Sequence, residues 1–528
     1  MKVEFEVEKA VPRTMSTQHP DNVSVPGWSS GEVIDSDAEI FETFYAFDEL
    51  GCQEVMWDSE GKDADTRVVR KLLNRYGSFF SGHVLGRDVF LTYRIPNPKI
   101  ELVERKVVIE TLQNIPVAFD VASSFYGRDV APIFEVILPF TTGWDELVTL
   151  FNYYRKAVAA EDMVLNGSTR VRDWVGSFKP KSIRVIPLVE DYGSLLDVDK
   201  IVEPYIEAVK PESLRVFIAR SDPALNYGLF CAVLLSKVAL SKLGMVAKEQ
   251  GVSVYPIIGV GTKPFRGHLS PDNVARFLQE YRGLATVTVQ SALRYDYPVG
   301  QVKECVRFLN ENLPNGEAVV VPDDEEVALR GVLAKCRRRY EDVVELLAPL
   351  VNGVAAYVPQ RRARKLHIGL FGYSRCVAGV CLPRAITFSA ALYSIGLPPE
   401  FIGCNVLRDL SDKELELVSK HYVNVKYDLG AVGGFVSWQN VNMLLEMHEK
   451  AAERAGADPG KLKVALGKVL GDLQAVEEKF GVKLGPLSLN QKRHENFANN
   501  FLLAWLEGEH DEAKKALVES AKLRNCLG

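Results

Sequence analysis

The chain has 528 residues, 47% of them hydrophobic and 25% charged, which is the make-up of an ordinary globular protein with a large core and excludes a disordered one. A formal net charge of −6 provides no general basic face, which argues against nucleic acid as a partner and makes any anion site a local feature. No stretch approaches the ~20 apolar residues expected of a bilayer span, and residues 1–10 alternate charged and apolar side chains instead of forming a signal-peptide core, so a cytoplasmic protein without a membrane partner is expected.

Between about residue 50 and residue 300, short β-branched runs alternate with amphipathic stretches, the pattern of parallel strands joined by helices. Strands are predicted at 52–57, 89–95, 134–139, 183–189, 214–219, 252–258 and 286–290. An eighth is read at 117–121, although the gap to the next is short for a crossover helix. Intervening helices are predicted at 101–114, 144–160, 199–209, 224–250 and 271–281, the last capped by Ser270 with Pro271 in the first helical position. Beyond residue 300 the periodicity turns helical, at 325–347, 436–455, 461–480 and 490–523. An irregular stretch, 359–383, carries Arg361, Arg362, Arg364, Lys365 and Arg375. The expected fold is α/β: a parallel (β/α)8, TIM-like barrel over 1–300, with a mainly α-helical region, 301–528, packed on it and contributing active-site arginines. The eight cysteines show no CxxC pair and no zinc-type spacing, and read as buried thiols.

A barrel carries its chemistry at the C-terminal ends of its strands, and charged residues cluster there: Asp58, Arg94, Glu190 with Asp191, and Arg220 with Asp222. Glu190 and Asp222, from neighbouring strands, offer the hard oxygens that magnesium prefers; the alternative is salt bridges to Arg94 or Arg220. Arg94, Arg220, Arg266, Arg375 and Arg384 are candidates for a pocket that holds carboxylate and phosphate bidentately. The turn from Gly259 to Gly267 follows a strand and lets a backbone approach an oxyanion, but it is neither a P-loop nor GxGxxG. His19 stands ahead of the barrel in Ser16-Thr-Gln-His-Pro-Asp21.

Met15-Ser-Thr-Gln-His-Pro-Asp-Asn22, Glu54-Val-Met-Trp-Asp58, Phe90-Leu-Thr-Tyr-Arg-Ile-Pro-Asn-Pro98, Lys263-Pro-Phe-Arg-Gly267 and Leu382-Pro-Arg-Ala-Ile386, in this order, resemble archaeal-type phosphoenolpyruvate carboxylase over most of the chain. The resemblance implies a carboxy-lyase that joins phosphoenolpyruvate and bicarbonate into oxaloacetate and phosphate, an anaplerotic step feeding the tricarboxylic acid cycle. It implies magnesium, with manganese able to replace it, and a homotetramer. It makes His19 the residue that handles carboxyphosphate and makes Glu190 and Asp222 the metal ligands. Arg94, Arg384 and Arg375 become catalytic arginines, Arg94, Arg220 and Arg384 contact the substrate, and Arg266 orients bicarbonate. Against the larger bacterial and plant enzymes the glycine turn departs, with Ile258 and Val260 standing where they have a histidine and an arginine; Lys263 or Arg220 is a candidate to replace that charge. The alternative reading is another metal-dependent barrel lyase or aldolase acting on pyruvate or its phosphoester.

Overall fold

The computed structural model describes residues 10–365, 376–377 and 379–528. Eight parallel strands close a barrel: β1 (Thr14–Ser16), β2 (Glu54–Asp58), β3 (Phe90–Arg94), β4 (Glu135–Leu138), β5 (Arg184–Val189), β6 (Ser213–Ala219), β7 (Ser253–Gly259) and β8 (Thr286–Val289). Strands pair in chain order, and β1 closes the ring between β8 and β2.

Seven of the expected strands are present, and the eighth is elsewhere. Residues 117–121 lie inside the helix Val107–Tyr126, where Val117 is exposed while Ile115, Ala118, Phe119 and Ala122 are buried, a helical face. The closing strand is instead the three-residue β1, buried throughout, inside the motif that carries His19. Helix limits also shift. The stretch 224–250 breaks at Gly228 into Ser221–Tyr227 and Leu229–Gln250, because Gly228 has φ +86° and a Cβ there would meet the Tyr340 ring at 2.8 Å. The helix expected at 271–281 is Val274–Glu280, with Asn273 and not Ser270 at its start.

Leu229–Gln250 is long and apolar enough by composition to cross a membrane, with a mean hydropathy of 1.8 in an 18-residue window, which corrects the sequence-based expectation. In the fold 89% of that window is buried. It packs against β7 and the long helix Asp323–Ala355, and its Lys237 and Lys242 pair with Glu280 at 2.8 Å and Asp199 at 3.1 Å. Six cysteines are buried thiols as expected, but Cys381 is exposed and disulfide-bonded; in the hairpin Cys376–Val377 and Val380–Cys381 it stands opposite Cys376. Hairpin register, not a short sequence motif, creates that proximity.

Inside the barrel the side chains form layers. Met15, Met56, Ile137, Ile186, Leu188, Phe217 and Ile257 make an apolar cluster. Towards the N-terminal ends, Arg215 holds Glu54 with two hydrogen bonds of 2.8 and 2.7 Å and Glu135 with one of 3.0 Å, all three side chains buried. Burial alone lowers the Arg215 pKa, and the two carboxylates more than reverse this and raise it. Arg215→Met leaves two buried carboxylates without their cation and is expected to cost about 3–5 kcal/mol. Equilibrium urea unfolding reads this directly, and a loss below about 1 kcal/mol would mean that the layer relaxes or admits water.

Candidate active site

Every sequence-predicted site residue within the described part of the chain lines one open cleft of about 700 Å³: His19, Arg94, Glu190, Arg220, Asp222, Arg266 and Arg384. The reason is topological. His19 follows β1, Arg94 ends β3, Glu190 follows β5, Asp222 opens the helix after β6 and Arg266 follows β7, so parallel strands deliver them all to the C-terminal rim. Arg384 comes from the second half of the chain, at the start of the helix Ala385–Ser394. Arg375 lies outside the described residues.

His19 bonds through Nδ1 to the Thr17 hydroxyl at 2.8 Å. Burial, then the nearby Arg94, with Arg266 and Arg364 adding, push its imidazole well below the usual value, and Asp58 only partly opposes them. A histidine so placed is neutral near pH 7, a weak base that takes a proton only from an acidic group.

Arg94 is held bidentately by Asp58, at 2.9 Å through Nε and 2.5 Å through Nη2, and by Glu60 at 3.2 Å. Burial works to raise the Asp58 carboxyl, but the Arg94 guanidinium outweighs it and brings the value down to about 2. Glu60 also lines the cleft, and sequence reasoning passed over it because it lies two residues beyond its strand.

Arg220 is 1% exposed and donates to the Tyr281 hydroxyl at 2.9 Å and to the carbonyls of Phe265 and Pro264 at 3.2 Å. It therefore braces the glycine turn. Much of the turn's backbone is already used: the amides of Val260, Gly261, Phe265, Arg266 and Gly267, and that of His268 after it, donate to protein acceptors. Its glycines make room for side chains. A Cβ on Gly261 would meet Arg266 Nη1 at 2.9 Å, and Gly267 has φ +123° with Val260 packed over it.

Arg266, also 1% exposed, bonds to Asp21 at 2.9 Å, the Gly528 carbonyl at 2.7 Å, Gln290 at 2.5 Å and the Ser221 hydroxyl at 3.2 Å. A guanidinium has five N–H donors, so these bonds leave one to face the cleft. Lys263 places its ammonium 5.7 Å from the Phe435 ring centre.

Among the described residues no group of three or more His, Cys, Asp and Glu forms a closed metal cage. Glu190, 5% exposed, and Asp222 instead bring hard oxygens to the cleft from adjacent strands, β5 and β6. Two carboxylates with the other positions left to water and a phosphate-bearing substrate suit magnesium, which dehydrates reluctantly, so the donor set fits the expected ion.

The segment 361–365 adds Arg364, which lines the same cleft and which sequence reasoning did not single out. Its neighbours Arg361, Arg362 and Lys365 are buried and engaged in ion pairs with Glu32, Glu39, Glu42 and Glu104.

Comparison with known proteins agrees with this geometry. A family model described as phosphoenolpyruvate carboxylase matches residues 11–528. Curated proteins named phosphoenolpyruvate carboxylase are similar over 98% of this chain. That of Metallosphaera sedula is 46% identical over 521 residues and covered in full. That of Caldivirga maquilingensis is 44% identical over 521 residues and likewise covered in full, and that of Picrophilus torridus is 42% identical over 520 residues and 99% covered. A closed parallel barrel with its acidic pair, histidine and arginines on one rim, and a match that runs through both halves of the sequence, lead to one conclusion: the chain belongs to the phosphoenolpyruvate carboxylase family.

Proposed function

We propose that the chain carboxylates phosphoenolpyruvate with bicarbonate, giving oxaloacetate and phosphate, as a cytoplasmic homotetramer in an anaplerotic role. The observation that carries this reading is one cleft holding a neutral histidine, an acidic pair and a group of guanidinium side chains. A barrel aldolase has no use for His19 and Arg266 together, and the family match does not favour it.

Glu190 and Asp222 would hold magnesium, or manganese in its place. Such an ion supplies Lewis-acid stabilisation of the charge that develops on the substrate oxygen as phosphate is transferred. Arg94 and Arg384 bind the phosphate and carboxylate of phosphoenolpyruvate, while Arg220 contributes by keeping the glycine turn in place. Arg266, clamped by four partners, orients bicarbonate with its remaining N–H. Bicarbonate oxygen then attacks phosphorus, the bond from phosphorus to the enol oxygen breaks, and carboxyphosphate and the enolate of pyruvate result. His19 accepts the carboxyl proton as carboxyphosphate separates into carbon dioxide and phosphate, and the enolate carbon adds to carbon dioxide. Leu188, Phe217, Ala385 and Ile386 give the cleft an apolar wall that limits water, which would protonate the enolate and divert it to pyruvate.

Incubation with phosphoenolpyruvate, magnesium and labelled bicarbonate, with oxaloacetate trapped as malate by malate dehydrogenase, is expected to place label in malate. No labelled malate, with phosphoenolpyruvate left intact, would overturn the assignment. Asp222→Ala is expected to abolish metal-dependent turnover with the circular dichroism spectrum unchanged; near-normal rates at saturating magnesium would remove Asp222 from the metal site. His19→Asn is expected to slow oxaloacetate formation by roughly 10²–10⁴ while phosphoenolpyruvate affinity, read by calorimetry, stays within about twofold, that is within ~0.4 kcal/mol. A parallel loss of affinity would make His19 a binding residue and not a proton acceptor.

A further inference from the structure

Residues 361–365 carry four cations in five positions, and three of them are committed to the barrel's own carboxylates. Arg361 pairs with Glu32 at 3.3 Å and donates to the Val23 carbonyl at 2.8 Å. Arg362 reaches Glu39 at 3.0 Å and Glu42 at 2.5 Å, and Lys365 pairs with Glu104. Backbone bonds pin both ends, from Ile34 N to Arg361 O at 2.9 Å and from Lys365 N to Gly61 O at 3.1 Å. Arg364, between these anchors, is the cation that turns into the cleft with His19, Arg94 and Arg384. Among the described residues no carboxylate stands within ion-pair distance of it, whereas Arg94 already has Asp58 and Glu60.

After β7 the chain runs Ile258-Gly-Val260, with no charge until Lys263, whose ammonium lies over Phe435. Arg220 has spent three hydrogen bonds on the turn and on Tyr281. Neither candidate named from sequence therefore presents an open guanidinium or ammonium where the turn lacks one. Burial, then Arg384 and Arg94, push the Arg364 guanidinium down to about 9, with Asp58 and Glu60 opposing. A bound anion offsets that repulsion, and a doubly charged phosphoryl group offsets it better than singly charged bicarbonate does.

We propose that Arg364 binds substrate, its guanidinium holding phosphoryl oxygens of phosphoenolpyruvate alongside Arg94 and Arg384, a role that rests on the carboxylase reading above. The pinned segment presets its position, so little side-chain freedom is lost on binding, and the planar fork matches phosphate in a way a lysine does not.

The test compares wild type, Arg364→Gln and Arg364→Lys in steady-state carboxylation. Calorimetry with inorganic phosphate and with phosphoenolpyruvate, each without bicarbonate, accompanies it, and thermal melting checks the fold. Arg364→Gln is expected to raise KM for phosphoenolpyruvate and weaken phosphate binding by about ten- to a hundredfold, with KM for bicarbonate within about twofold. Arg364→Lys, which keeps the charge and loses the fork, is expected to fall between, and it decides the matter if the glutamine variant does not fold. Unchanged phosphoenolpyruvate and phosphate affinities in a folded variant overturn the proposal, as does a rise confined to bicarbonate. Wild type that fails to carboxylate, yet binds phosphate in a way Arg364→Gln loses, would remove the reaction and leave the anion contact standing.

Discussion

The geometry of the rim hangs on the burial of Arg266. A guanidinium that is 1% exposed is tolerable only where fixed acceptors replace its water. Its acceptors come from four separate parts of the chain: Asp21 after β1, Ser221 after β6, Gln290 after β8 and Gly528. Two of these lie next to the chemistry, since His19 is two residues from Asp21 and Asp222 follows Ser221. Asp21 is tied further, accepting from the Ala292 amide at 2.7 Å and, through its carbonyl, from the Leu527 amide at 2.8 Å. One buried cation thus ties the segment that carries His19 to the one that carries Asp222, and couples both to residues far away in sequence.

Buried charge recurs in three places and does different work in each. Below the apolar cluster, Arg215 with Glu54 and Glu135 is separated from the rim by Met15, Met56, Phe217 and their neighbours, so it acts on stability. At the side, Arg362 and Arg294 outweigh the effect of burial on Glu42 and hold it down to about 2, while Glu39 serves both Arg362 and Lys62; this network fastens the segment 361–365 to the helix Ser36–Asp48. At the rim the balance is left cationic around His19, which suits a cleft for anionic substrates.

The barrel was legible where strands are long and β-branched, as in Arg184–Val189 or Ser213–Ala219. It was illegible at Thr14–Ser16, because three residues carry no periodicity and their strand character comes from pairing with β8 and β2. The substitute read at 117–121 fails because a two-residue alternation there belongs to one face of a longer helix. Glu190, Asp222 and Arg94 could be named in advance because strand ends are positions that topology makes functional. Arg364 could not be separated from Arg361, Arg362 and Lys365, since which of four cations faces the cleft is decided by Glu32, Glu39, Glu42 and Glu104, all distant in sequence. Glycine permits close approach, and at Gly261 and Gly267 what approaches is Arg266 and Val260, neither of which the turn's own sequence announces.

Burial serves the proposed reaction twice over. Taking His19 out of water beside Arg94 makes its protonated form costly, so the resting imidazole is neutral and takes a proton only from an acidic donor such as the carboxyl of carboxyphosphate. The same removal of water, enforced by Leu188, Phe217 and Ile386, protects an enolate that solvent would quench. A more open rim would bring the basicity of His19 back towards its ordinary value, leaving part of it protonated at rest, and would expose the carbanion to protons. The segment 361–365, held by the buried Arg362 network, contributes a cation to the cleft. Arg364 is thus fixed in the cleft by ion pairs of its neighbours, so loosening that segment would disturb the cation balance that acts on His19 and on an anionic substrate at the same time.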